Sequence, residues 1–215
     1  MSNNFSEDEQ LEKAREWWDK YKYLLLTILV LFSIGILSWD YFKNSSLKTS
    51  INASNDFEKF TGSYIEGELP SDEMIDEALR IKNQYLSSGY SDLLALYLAK
   101  YYVAKEDTIS AEKELRWVLN RASDTWFSEE KPLAEISRIR LIKLLLEDRP
   151  QEAIDLAESA SIMSAELFEL KGDALIKLGD LEGAKINYLE ALNSYQSQLL
   201  RNIMSMKIAD LKDEK

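Results

Sequence analysis

The chain has 215 residues, 26 of them Lys or Arg against 38 Asp or Glu, a net charge of −12, and it contains neither cysteine nor histidine. Without cysteine there is no disulfide, no thiolate chemistry and no lipid attachment at a cysteine. Without histidine the usual neutral-pH acid or base, the commonest transition-metal ligand and every serine–histidine triad are excluded. The acidic balance repels phosphate backbones, so nucleic acid is not an expected partner. Apolar residues make up 46% of the chain, enough to pack a core and to exclude disorder as the explanation. Carboxylate pairs are numerous, but in an acidic helical chain they read as solvated helix faces. The seven glycines sit singly, with no phosphate-binding loop. No enzyme activity, catalytic residue, cofactor or metal ligand is expected.

Residues 1–22 form an acidic and aromatic tail, expected in the cytoplasm. Ser6 is placed to cap a helix, with Glu9 completing a capping box and Leu11, Ala14 and Trp18 on one face. Residues 23–42, YLLLTILVLFSIGILSWDYF, hold no charge between Leu24 and Trp39. As a helix this stretch is about 30 Å long, the thickness of a hydrocarbon core. It is too long for an ordinary buried helix and ends in aromatics rather than in the small residues of a cleavage site. The reading is a single uncleaved transmembrane anchor. Four cations precede it closely (Lys13, Arg15, Lys20 and Lys22) and two follow, Lys43 and Lys48, which places the N-terminus in the cytoplasm. Trp17, Trp18, Tyr21 and Tyr23 on one side, with Trp39, Tyr41 and Phe42 on the other, suit the two interfacial belts.

Residues 43–70 read as a helical linker with an apolar stripe at Ile51, Phe57, Phe60 and Tyr64, and a break near residues 44–46. Residues 43–215 carry 22 basic and 31 acidic residues, a net of −9. From Ser71, an expected N-cap, residues 71–215 form an all-α domain. Its helices are expected near 91–105, 108–121, 131–147, 150–161, 164–178, 180–196 and 198–211. Paired helices with short connections signal a helical solenoid.

The strongest repeat is residues 165–192. There Phe168, Gly172, Leu175, Ala184, Tyr188 and Ala191 fit the tetratricopeptide pattern without a gap. Gly172 and Ala184 let two helices approach, Gly179 and Asp180 make the turn, and Phe168 and Tyr188 fill the space beside them. Weaker copies place Ala99, Tyr102 and Ala111, then Leu144, Ala153 and Ala160, on the same frame. Extra length is expected near residues 122–131. On this frame a partner-binding groove lined by the first helices would comprise Leu96, Lys100, Val103, Arg138, Ile142, Glu169, Asp173 and Ile176. Its mixed apolar and charged character suits an extended protein segment.

The order of KAREWWDKYKY, one anchor, WDYF, tetratricopeptide helices and a closing MSMKIADL resembles the YfgM-type ancillary subunits of the bacterial Sec translocon. The closest likeness lies in KGDALIKLGDLEGAKINYLEAL and in Met204 to Leu211. The resemblance implies a single-pass inner-membrane protein with a periplasmic tetratricopeptide domain. It implies SecYEG and a membrane-anchored periplasmic chaperone resembling PpiD as partners, with handover of exported client proteins as the role. It transfers no catalytic or interface residue. The alternative is a membrane-anchored tetratricopeptide scaffold for another envelope complex.

Overall fold

The computed structural model describes residues 7–63, 70–123 and 132–213, mostly helical; side chains are described within these except at residues 7–10, 35, 37, 38, 40–46, 122, 123, 212 and 213. The chain divides into two compact units, residues Met1–Asn52 and Ala53–Lys215. The first helix, α1, spans Glu7–Gly62. It continues unbroken through residues 44–46, where a break was expected, because nothing there (an asparagine and two serines) forbids helical backbone as proline would. The expected cap at Ser6 and the apolar position at Tyr64 lie outside the described residues.

Among the described residues, the apolar side chains of α1 from Leu24 to Trp39 are exposed on every side. Leu24, Leu26, Ile28, Leu29, Leu31, Phe32 and Ile34 are all open, Phe32 at 70% of its surface. Two hydroxyls in this run donate to their own helix: Thr27 Oγ1 to the Tyr23 carbonyl and Ser33 Oγ to the Leu29 carbonyl, each at 2.8 Å. Among the described residues no helical stretch is long and apolar enough to cross a membrane. Within the run Leu24–Trp39, residues 35, 37 and 38 are among those whose side chains are not described.

The second unit begins with the last turns of α1 and continues through α2 (Asp72–Gln84), α3 (Gly89–Ala104), α4 (Thr108–Ser123), α5 (Pro132–Leu145), α6 (Pro150–Glu158), α7 (Ala165–Lys177), α8 (Leu181–Ser194) and α9 (Gln198–Asp213). Local chemistry sets several starts. Ser71 accepts from the Met74 N–H, Asp180 accepts from the Gly183 N–H, and Pro150 opens α6 where its missing N–H costs nothing. Gly179 has φ +81°, a left-handed conformation that glycine adopts freely, and so ends the α7 segment and turns the chain into α8.

Each helix from α2 packs on the next, and the alternate helices α3, α5 and α7 also touch, α3 to α5 and α5 to α7. That pattern is a stack of helix pairs with α3, α5 and α7 as the first helices of successive repeats. The expected linker stripe is only partly the packed one. Ala53, Phe57 and Phe60 pack against α2 and α3, whereas Ile51 is exposed. Phe57 lies 5.0 Å from the Tyr90 ring, and Phe60 meets Tyr97 edge-on at 5.1 Å. Tyr85 and Tyr90 add hydrogen bonds to Asp56 (2.8 Å) and Ser54 (2.9 Å), which fix the rotation of this end of α1 on the unit.

Gly172, Ala184, Tyr188 and Ala191 are buried at the α7–α8 crossing, with Phe168 and Leu175 half-buried beside them. A Cβ on Gly172 would come within 2.6 Å of Tyr188 Cδ1, well inside contact distance. Gly172→Ala therefore overpacks a rigid ring, at about 1–3 kcal/mol, against about 1 kcal/mol gained in helix propensity. The expected outcome is a lower melting temperature by circular dichroism. Gly89→Ala, which meets nothing within 4 Å, leaves the melting point unchanged or raises it. A rise for Gly172→Ala would mean that the Tyr188 ring moves freely.

Among the described residues of this unit, one ion pair is buried. Lys82 of α2 bonds Glu114 of α4, their side chains 9% and 8% exposed, and the Lys82 ammonium lies 4.7 Å from the Trp117 ring centroid. Lys82→Met strands a buried carboxylate and is expected to cost about 3–5 kcal/mol in urea unfolding. The double variant Lys82→Met with Glu114→Leu recovers most of that loss, because the desolvation penalty disappears with the pair. A double variant no better than the single one would show that the pair contributes more than it costs to bury.

Candidate interaction groove

The face formed by α3 and α5 carries two hollows of about 430 Å³ each. One is lined by Phe57, Phe60, Leu93, Leu96, Leu133 and Ile136; the other by Ala99, Val103, Leu115, Lys143 and Leu144. Lys100 and Arg140 line both. Helical spacing explains the grouping. Leu93, Leu96, Lys100 and Val103 follow at intervals of three, four and three on α3, and Leu133, Ile136, Arg140 and Lys143 repeat those intervals on α5. Both helices thus present one stripe to the same channel.

The eight groove residues expected from sequence fall into three groups. Lys100 and Val103 are exposed and line the hollows, and Leu96 contributes from beneath, largely buried. Arg138 and Ile142 do not reach the channel. Ile142 is 0% exposed within the main core. Arg138 is buried, its guanidinium donating to the Leu156 carbonyl at 2.9 Å and to the Ser159 hydroxyl. There it serves as a cationic cap on the C-terminal end of α6. On α5 the channel is lined instead by Ile136 and Arg140, two positions before each expected residue, together with Leu133, Lys143 and Leu144. Two residues turn an α-helix by about 200°, so a two-residue error in repeat register exchanges groove for core. The repeated three-and-four spacing of the Leu93 and Leu133 stripes is the signal that identifies the correct frame.

Glu169, Asp173 and Ile176 on α7 form the third group, and they are held by the neighbouring helices. Lys207 of α9 bonds Asp173 at 2.6 Å and Glu169 at 2.9 Å. The Tyr188 and Tyr195 hydroxyls donate to Asp173 and Glu169, each at 2.6 Å. Burial, followed by these hydrogen bonds to carboxylates, pushes both phenols well above the usual tyrosine range. Burial opposes the charge of Lys207, but its two carboxylate partners outweigh that and raise its pKa. Ile176 packs on the cluster of Ala184, Tyr188 and Met204. This end of the stack is a closed polar lock between α7, α8 and α9, in which the two carboxylates of α7 already have partners.

The electrostatics of the open channel differ from those of the chain. None of the described residues lining either hollow is acidic, whereas Lys100, Arg140 and Lys143 are all basic. Lys143 bonds Glu166 at 2.6 Å. Lys100 and Arg140, both exposed, have no ion-pair partner among the described residues. Among those residues no group of three or more carboxylates is placed to hold a metal ion. The arrangement offers binding surface: apolar walls on both sides of a cationic waist.

Comparison with known proteins gives relatives named ancillary SecYEG translocon subunit, among them those of three organisms. That of Aggregatibacter actinomycetemcomitans is 25% identical over 196 residues, covering 89% of this chain and 91% of the relative. That of Escherichia coli (strain K12) is 22% identical over 210 residues, covering 96% and 97%. That of Neisseria gonorrhoeae (strain ATCC 700825 / FA 1090) is 24% identical over 224 residues, covering 99% and 100%. The resemblance to ancillary Sec translocon subunits read from the sequence thus holds over nearly the full length. No solved structure matches the chain significantly. The model of the tetratricopeptide repeat-like domain matches residues 15–213. The alternating contacts of α3, α5 and α7, the buried small residues at the α7–α8 crossing and this match over almost every described residue lead to one conclusion: the chain belongs to the tetratricopeptide repeat-like domain family.

Proposed function

We propose that this protein is an ancillary, non-catalytic subunit of the bacterial Sec translocon. Residues 23–42 anchor it in the inner membrane, residues 1–22 lie in the cytoplasm, and the domain after the anchor lies in the periplasm. The relatives named as ancillary SecYEG subunits support the translocon assignment. The anchor rests on one observation above all, the apolar run of α1 exposed on every side. Water does not tolerate such a surface, and a bilayer solvates it completely. The Thr27 and Ser33 hydroxyls in the run are satisfied by their own backbone, as hydrocarbon requires. The helical stack then acts as a binding surface held at the membrane, where tethering raises its effective concentration near the channel exit. In this reading SecYEG is one partner and a membrane-anchored periplasmic chaperone resembling PpiD is the other, with exported proteins passed between them.

Topology is directly measurable, because the natural chain has no cysteine to interfere. Asn4→Cys and Lys105→Cys, made separately, are treated in intact spheroplasts with a membrane-impermeant maleimide. Labelling is expected at position 105 and, at position 4, only after the membrane is opened. The reverse pattern overturns the orientation, and labelling at both without permeabilisation overturns the anchor.

The partner assignment is tested by a photo-crosslinking residue in place of Trp39, in native membranes. Crosslinks to SecY, SecE or SecG are the expected result. Crosslinks confined to another envelope complex would leave a membrane-anchored scaffold and remove the translocon from its function.

A further inference from the structure

We propose that the channel between α3 and α5 is a docking site for a polypeptide segment that carries carboxylates between two bulky apolar side chains. The inference rests on the scaffold reading above for the existence of a polypeptide partner, and it adds the chemistry by which that partner is recognised. Three observations carry it.

The first is shape. Two hollows of about 430 Å³ lie along one channel, and they share the Lys100 and Arg140 side chains. Each is within the size range of specific binding pockets, about 300–1,000 Å³. The second is lining. The hollows are walled by leucine, isoleucine, valine and phenylalanine side chains, and so match apolar anchors. The third is charge. The chain carries a net −12, yet this channel contains three cations and no carboxylate among its described lining residues. Lys143 is paired with Glu166, which leaves Lys100 and Arg140 as the complement offered to an incoming acidic group. Arginine in particular matches a carboxylate with two parallel donors.

The order of these features along the channel is apolar, cationic, apolar. From Leu93 to Val103 the α3 stripe covers about 15 Å, by the rise of an α-helix. A ligand of that length is about ten residues of helix or about five of extended chain. Its recognisable feature is therefore one or two carboxylates midway between two large apolar residues. The equivalent face of α7 cannot offer the same site, because Glu169 and Asp173 make it acidic and Lys207, Tyr188 and Tyr195 already occupy it. Selectivity for an acidic segment thus belongs to the α3–α5 part of the stack.

The test is fluorescence anisotropy with the full chain in detergent micelles and three labelled peptides of about ten residues, the length set by the channel. The first has two leucines flanking two glutamates in a serine–glycine background. In the second, lysines replace the glutamates; in the third, alanines replace the leucines. The first peptide is expected to bind, and the other two to bind at least about tenfold more weakly. In Lys100→Glu with Arg140→Glu the preference for charge inverts. Both side chains are exposed, so the melting temperature is expected to hold; the variant Lys100→Arg with Arg140→Lys, which keeps both charges, retains glutamate preference.

No binding of the first peptide up to about 1 mM, the weak limit of specific recognition, overturns the proposal. Equal binding of the glutamate and lysine peptides overturns it, and so does an unchanged preference after charge reversal. Displacement of the peptide by vesicles of anionic phospholipid, in amounts that neutral phosphatidylcholine vesicles fail to match, would assign the channel to lipid headgroups and overturn it as well. Affinity purification of the same chain from native membranes separates the two levels. A chain that binds the glutamate peptide but not SecYEG removes the translocon reading and keeps the groove. A chain that copurifies with SecYEG but fails the peptide tests removes the groove alone.

Discussion

The close approach of neighbouring helices over side chains no larger than a methyl group is the constraint on which the second unit depends. Ala53, Ala78, Ala95, Ala111, Ala134, Ala153, Ala157, Ala174, Ala184 and Ala191 are all completely buried, at least one on each helix from the end of α1 to α8. Gly172 takes the same role to its limit against the Tyr188 ring. Where backbones approach this closely, the larger residues on either side interdigitate, and a repeat buries its apolar surface against the next repeat. The α3–α5 channel follows from the same geometry. It lies where two first helices of the stack meet at their outward stripes, with Leu96 reaching into it from the core side.

Polar contacts then set which faces of the stack remain open. At the C-terminal end, Lys207, Tyr188 and Tyr195 draw α8 and α9 onto the carboxylates of α7. At the other end, Asp56 and Ser54 hold the last turns of α1 against α2 and α3 through Tyr85 and Tyr90. The buried Lys82–Glu114 pair, with Lys82 and Arg121 each 4.7 Å from the Trp117 ring centroid, ties α2 to α4. Between these fixed ends the α3–α5 channel keeps two exposed cations without ion-pair partners among the described residues. An acidic chain that preserves a basic, apolar-walled channel has a surface suited to a complementary partner.

Much of this architecture was legible in the residues. Helix order after Ser71, among the described residues, followed from periodicity and punctuation: Ser71 as a cap, Gly179 and Asp180 as a turn. The α7–α8 packing set was legible because its signature combines a glycine, two alanines and two aromatics at fixed intervals, and few other folds use that combination. The uncharged apolar run was equally plain as a run, and the structure shows it as part of the single helix α1.

The sequence by itself therefore determined the helical class, the repeat type and the stretch that water does not favour, because all three are local or short-period properties of the chain. Only the tertiary structure decided which residues face the channel. A helix turns by about 100° per residue, so the two-residue uncertainty in aligning a weak repeat was enough to place Arg138 and Ile142 outside the core they belong to, and to hide Ile136 and Arg140. Nor did local pattern reveal that Glu169 and Asp173 are occupied, since Lys207, Tyr188 and Tyr195 lie 15 to 38 residues away in the chain and meet those carboxylates only when α8 and α9 fold back on α7. Whether a side chain is groove, core or lock depends on what other helices bring to it, and that is settled by packing.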